Sequence, residues 1–436
     1  MSLSKNIVVS FLYKGINIAT QFLLVRITLS YISTTEYGVW LTLSSFLTWF
    51  AIFDFGFTNG LRNKVTLAYA DGKLEKAQPY ISTSYAFLFL VISVMLLLFG
   101  ISTVFVNWQQ LFNAPNELAA TLPLILIIAF ALFCLRLLLN LISAILLAVH
   151  QAGQVELINT AIQVATLVGL MLWANTSDVA LFEVAVVYSL MPVVVLFLAS
   201  LIFFGNAYKA IRPTISSIQW SLFGELGVVG GKFFGLQLVS LVLFSSQNFI
   251  ISHLFNPAEV TPFNLVYRYF SVIPIVFNVL LVPHWSAITE AYYKHNFEWL
   301  QQTLKRLLFF WSLFALLSLS MFLIAPWVYD LWLGPGHVPI PSVLTIVLSI
   351  STIVTAWGNL FSLLLNAMGA ITISLITAFV IVFISVPLAS YLSTFPQLGV
   401  SGVPLGFTIC LLPGAILQPY QCYKLLARRA AGIWTK

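Results

Sequence analysis

The chain has 436 residues, 60% hydrophobic and only 7% charged, with 19 Lys and Arg against 13 Asp and Glu and a net charge of +6. Its mean hydropathy is +1.01. A soluble domain needs about a quarter of its residues charged, so composition excludes one, and long apolar runs in place of short alternating ones exclude a membrane β-barrel.

The class that remains is an all-α polytopic membrane protein. At roughly 20 residues per span, apolar runs separated by turn signals predict twelve helices, near 6–32, 38–60, 79–106, 118–148, 154–174, 179–204, 223–252, 261–284, 303–329, 341–367, 370–393 and 401–425. Lys5 precedes the first run and no small-residue cleavage site follows it, so a retained first helix is expected. In that helix Ser10, Lys14, Asn17, Gln21 and Thr28 fall on one helical stripe. In the fourth, Arg136, Asn140, Ser143 and His150 share a register. The seventh aligns Lys232 with Ser240 and Gln247, the eighth Asn264, Arg268, Ser271 and Asn278, and the tenth Thr355, Asn359, Ser362 and Asn366. Pro192, Pro274, Pro387, Pro404 and Pro413 should bend their helices. Stretches 62–78 and 286–302 mix charge with apolar side chains and read either as interfacial helices or as plain connectors.

With both termini cytoplasmic, fourteen of the 19 basic residues fall on the inner side, none in outer loops, and five inside spans. That bias is the positive-inside signal, and it accounts for the net charge without nucleic acid. Cys134, Cys410 and Cys422 form no paired or metal-ligating spacing, and the five His residues are scattered.

Matches at offsets of 218–223 suggest a duplication: Asn140-Leu141-Ile142-Ser143 with Asn359-Leu360-Phe361-Ser362, Glu36 with Glu259, Ala68-Tyr69 with Ala291-Tyr292, and Lys14 with Lys232. The expected architecture is two pseudo-symmetric six-helix lobes around a central cavity, 1–205 and 223–436, joined by a cytoplasmic linker at 206–222.

The five intramembrane cations are Lys14, Arg26, Arg136, Lys232 and Arg268. Each costs roughly 2.5–3.5 kcal/mol to insert unless it faces a wet or paired interior. They mark a cavity for something negative, with phosphate the natural partner. A pyrophosphate-linked lipid would need such cations, polar walls for its sugars and an apolar surface for its tail. Depth and repeat symmetry favour Lys14 and Lys232 as the central pair, Arg268 as their companion, and Asn17, Gln21, Asn140 and Asn359 as polar wall. Arg26 and Arg136 lie toward span ends and read as snorkelling side chains. The competing account is an internal ion pair with Asp54, Glu156, Glu183 or Glu225, and interhelical hydrogen bonding for the neutral stripes. Asp54 and Glu225 are the carboxylates to test for proton or Na⁺ coupling, with capping or pairing to Arg62 the alternative for Asp54. No cofactor or metal is expected.

Residues 53–64, Phe-Asp-Phe-Gly-Phe-Thr-Asn-Gly-Leu-Arg-Asn-Lys, the Ala-Tyr-Ala-Asp-Gly at 68–72 and the Glu-Tyr-Gly-Val-Trp at 36–40 resemble Wzx-type O-antigen and polysaccharide flippases. Those proteins belong to the multidrug/oligosaccharidyl-lipid/polysaccharide exporter (MOP) superfamily. The resemblance implies a monomeric, multi-pass inner-membrane transporter that moves an undecaprenyl-pyrophosphate-linked oligosaccharide between leaflets, beside other polysaccharide-assembly membrane proteins. Two alternatives stand. A multidrug-type cation exporter would need acidic groups in its cavity, and a glycan polymerase or ligase would need a large outer loop.

Overall fold

The computed structural model describes residues 3–174, 180–225, 241–242, 245–281, 284–334, 336, 338–370 and 372–435. Most of the expected seventh span, including Lys232 and Ser240, lies outside the described residues. The chain divides into two compact units, Met1–Leu241 and Val242–Lys436.

Among the described residues the fold is all helix. The first unit contains α1 (Leu3–Tyr31), α2 (Thr34–Trp49), α3 (Phe57–Ala70), α4 (Gln78–Phe105), α5 (Trp108–Phe112), α6 (Leu122–Leu139), α7 (Leu141–Ala148), α8 (Ala152–Ala174) and α9 (Leu181–Gly205). The second contains α10 (Pro257–Leu281), α11 (His284–Tyr293), α12 (Phe297–Leu333), α13 (Ser342–Ala367), α14 (Thr372–Leu392) and α15 (Gly402–Leu426), preceded by helical residues 245–254. Nine helices among the described residues are long and apolar enough to cross a membrane, or ten when the bent pair in the first unit is taken as one span.

The bend of that pair is 52°, between Thr34–Asp54 and Phe57–Ala70. It sits at Phe55 and Gly56, both left-handed (φ 49° and 75°), not at a proline. Beyond it, α3 takes up the first part of the stretch 62–78 as a helix exposed on one face, at Arg62, Asn63, Leu67 and Tyr69, and packed on the other. Its Phe57, Leu61 and Val65 are buried together with Ile81 of α4 and Leu141, Ile142 and Ile145 of α7. The second stretch, read at 286–302, becomes α11, a turn at 294–296, and the start of α12 at Phe297.

The duplication is visible inside each unit. Ser33 and Glu36 form a capping box on α2, and Asn256 accepts from the Glu259 backbone N–H in the first turn of α10. Thr66 donates to the Ala148 carbonyl (3.3 Å), and Thr289 donates to that of Ala367 (2.9 Å). Leu141, Ile142, Ile145 and Leu146 are core residues of the first unit, and Leu360, Phe361, Leu364 and Leu365 of the second. Gly72 and His295 are both left-handed, as are His150 and Gly369. The correspondence ends at one asparagine: Asn140 separates α6 from α7, whereas Asn359 lies within the continuous α13.

Two glycines let α15 lie directly against α14. A Cβ on Gly402 would stand 2.6 Å from the Ser393 nitrogen, and one on Gly406 would stand 2.6 Å from the Ala389 Cα. This is the small-xxx-small spacing by which helices approach closely in lipid, where no hydrophobic force drives them together. Residues 206–222, read as a linker, are fastened to the first unit through hydrogen bonds from Thr214 to Ser82 and between Gln219 and Thr83.

Candidate functional site

The four described cations have different surroundings. Lys14 Nζ stands 3.6 Å from Glu156 Oε1, so α1 and α8 are joined by an ion pair. One turn on, Thr160 of α8 donates to the Tyr13 carbonyl (3.1 Å), which sets the register of the two helices. Above it, Gln21 donates to Asn17 (2.6 Å), and Thr28 shares a hydrogen bond with Tyr188 of α9 (2.9 Å). The stripe on α1 is therefore largely consumed by neighbours.

Arg26 and Arg136 are exposed, and among the described residues neither side chain has a hydrogen-bond or ion-pair partner. Arg136 is not toward the end of its span. The helix pair Leu122–Ala148 is 27 residues long and Arg136 lies midway along it. At 1.5 Å per residue either end is roughly 20 Å distant, farther than a guanidinium reaches, so snorkelling does not apply. Asn140, four residues on, is exposed on the same face and interrupts the helix. Cation, amide and break coincide there.

In the second unit the polar stripes are knitted into packing. Asn264 donates to Asn248 (2.7 Å) and Ser362 to Gln418 (3.1 Å). Ser318 and Ser349 share a buried hydrogen bond at 3.1 Å. Arg268 is half-buried and is not without a partner, and Asn359 is half-buried. Lys232 lies outside the described residues, and with it the expected Lys14–Lys232 pair.

Both candidate coupling carboxylates have local partners. Asp54 accepts from the Thr58 backbone N–H (3.1 Å) and hydroxyl (2.9 Å), which caps the start of α3 beyond the bend. Glu225 accepts from Lys64 (2.5 Å) and from the Tyr80 hydroxyl (3.1 Å). Glu156, named in the sequence only as one of four pairing options, is the carboxylate that meets an intramembrane cation. The signal for it was its position: it is the one acid within the predicted span 154–174. Thr28–Tyr188 had no such signal, because nothing in spacing links residues so far apart.

A cavity of about 450 Å³ in the first unit is lined by Phe46, Phe50, Phe53, Phe55, Phe99 and Trp108 with aliphatic residues of α4. Of the described cations, Lys14, Arg26, Arg136 and Arg268, none lines it. Its walls are apolar and suit hydrocarbon rather than phosphate. Among the described residues no cluster of His, Cys, Asp and Glu could hold a metal.

No protein-family model matches the chain. A Yersinia pseudotuberculosis protein, provisionally named for O-antigen export, is 22% identical over 372 residues, 81% of this chain and 80% of that one. An inward-facing multidrug resistance MATE family transporter of the MOP superfamily superposes with a TM-score of 0.77 at 15% identity, covering 98% of this chain and 96% of that one. A MOP superfamily transporter from Pyrococcus furiosus, described as having a binding pocket of reverse polarity, superposes with a TM-score of 0.67 at 15% identity, covering 97% and 96%. The resemblance carried by residues 36–72 and these comparisons meet on one superfamily: the chain has the fold of the MOP-superfamily membrane transporters.

Proposed function

We propose that this protein is a flippase that carries an undecaprenyl-pyrophosphate-linked oligosaccharide from the cytoplasmic to the periplasmic leaflet by alternating access, for O-antigen or related surface-polysaccharide assembly. The observation that carries the reading is Arg136, a cation midway along a span, exposed, beside the exposed Asn140, and without a protein partner among the described residues. Such a group is too costly to face lipid. It is satisfied by water and, when substrate is bound, by an anion that its planar fork can grip in two places. Arg26 supplies a second exposed cation. Lys14 can join them only if phosphate draws it away from Glu156. The apolar, aromatic-walled cavity offers the kind of surface a prenyl tail needs. The name of the Yersinia relative supports the same substrate class.

In this reading the protein is a monomer in the bacterial inner membrane with both termini cytoplasmic. It works beside other polysaccharide-assembly membrane proteins, and a proton or Na⁺ gradient is its energy source. The MATE-like fold also fits a drug exporter. A pocket for lipophilic cations needs available carboxylates, however, and Asp54, Glu156 and Glu183 are already engaged.

The test is surface glycan display in cells that depend on this protein. Arg136→Ala should abolish display at normal membrane abundance, Arg136→Lys should retain part of it, and Arg26→Ala should reduce it. Wild-type display by the Arg26→Ala/Arg136→Ala double variant would overturn the site.

A further inference from the structure

The segment after α9 runs along the start of α4. Gln78 donates its side-chain amide to the Arg212 carbonyl (2.9 Å), and the Thr214 N–H donates to Ser82 (3.1 Å). Gln219 and Thr83 bond reciprocally, at 3.0 Å through the Gln219 N–H and 3.3 Å through the Thr83 hydroxyl. The segment ends at Glu225, held by Lys64 and Tyr80. This fastening packs the turn Lys209–Ile211 against the turn Leu74–Ala77. Four cations from two distant stretches, Lys73, Lys76, Lys209 and Arg212, thereby share one corner of the first unit, with the carboxylates of Asp71 and Glu75 beside them.

All four cations are exposed, and among the described residues none has a carboxylate or aromatic partner. Three other basic residues are engaged, Lys294 with Glu290, Lys424 over Tyr420 and Trp434, and Arg428 over Phe297, whereas Arg62 and Arg429 are exposed like these four but belong to different units. A second observation lies a few residues on. Ile215 is 89% exposed and Trp220 is 54% exposed. The corner stands where the span Leu74–Phe105 begins and the span Leu181–Gly205 ends, and Ser82 and Thr83, which hold this stretch, lie inside the former. The cations therefore stand at the level of the lipid headgroups, and Ile215 and Trp220 project just inside it. An isoleucine this bare is unfavourable in water and favourable among acyl chains, and tryptophan prefers that boundary.

We propose that this corner is a binding site for the phosphate of an anionic phospholipid in the leaflet it faces. Arg212 grips two phosphate oxygens, Lys76 and Lys209 supply the remaining charge, and the chains lie alongside Ile215 and Trp220. Near an anionic membrane surface each basic residue contributes about a fivefold factor in binding, so cations gathered on one headgroup give selectivity that scattered ones do not.

The test uses the full chain in phosphatidylcholine bilayers with trace spin-labelled phosphatidylglycerol or phosphatidylcholine, reading the motionally restricted fraction of each. Wild type should prefer phosphatidylglycerol several-fold. K76Q/K209Q/R212Q should fall to near parity, whereas K305Q/R306Q, which removes two cations from α12, should retain the preference. The proposal fails if the triple variant keeps its preference or if the α12 variant loses as much. Loss of the preference on adding glycerol phosphate, but not sodium chloride of equal ionic strength, would assign the site to a soluble phosphate and overturn the lipid. A nitroxide on I215C gives a reading that needs no charge removal, since Cys134, Cys410 and Cys422 are buried. It should be accessible to oxygen and shielded from a water-soluble nickel complex; the reverse would overturn the placement.

Discussion

Lys14 and Glu156 stand 3.6 Å apart between two helices that have little other charge near them. The neighbouring helix α9 carries only Glu183, which is spent on the Ala180 N–H at the first turn. A cation held this way is stabilised by its partner, and the penalty for breaking the pair falls on the group left behind. Glu156→Gln should therefore lower the midpoint of thermal unfolding in detergent more than the double variant Lys14→Gln/Glu156→Gln does. A double variant as unstable as the sum of the singles would show that the two groups act independently. The double should still fail in glycan display if phosphate recruits Lys14. The ionic content of this region was legible in the sequence, because a lysine within an apolar run is conspicuous whatever its partner. Its ranking was not. Sequence depth placed Lys14 above Arg136, but depth along one helix does not reveal that α8 brings a carboxylate to Lys14; the central place of Arg136 was already legible in the predicted span 118–148.

At the level of elements, the motif at 53–64 has a physical reading. Asp54 caps α3, Phe55 and Gly56 take the left-handed conformations that turn the chain through 52°, and Phe57 begins a helix buried along one face and exposed along the other. Hydropathy alone could not show this, since a helix with Arg62, Asn63 and Lys64 on one side reads as a surface helix until α4 and α7 are seen to cover the other. The pair α14 and α15 depends on a different device, the missing side chains of Gly402 and Gly406. Ordinarily glycine to alanine within a helix is favourable by about 1 kcal/mol. At Gly406 the added methyl would meet the Ala389 backbone at 2.6 Å, so overpacking of roughly 1–3 kcal/mol should win. Gly358→Ala serves as the matched control, because nothing lies within 4 Å of its Cβ position. Gly406→Ala should lower the unfolding midpoint and Gly358→Ala should not. Equal midpoints would mean that the two helices part easily.

Across the whole molecule, the sign of the intramembrane charge separates the two kinds of transporter that share this fold. The chain carries 19 basic and 13 acidic residues, yet topology signals account for most of the basic ones, so the bulk excess is not the argument. What favours the proposed reading is which charges inside spans already have partners. Asp54 is hydrogen-bonded to Thr58 and Glu156 is paired with Lys14, while Arg26 and Arg136 have no partner among the described residues. The net attraction on offer is for anions. A lipophilic dye cation entering such a site would meet repulsion that strengthens as the dielectric falls, whereas a pyrophosphate would meet attraction from the same groups. Two measurements on one pair of strains follow. Expression in cells stripped of drug pumps should leave their tolerance to ethidium and other lipophilic cations unchanged, and deletion from its own host should cause the lipid-linked repeat unit to accumulate on the inner leaflet. Raised tolerance together with normal glycan would reverse the assignment, since only the unpaired charge within the spans favours an anionic cargo.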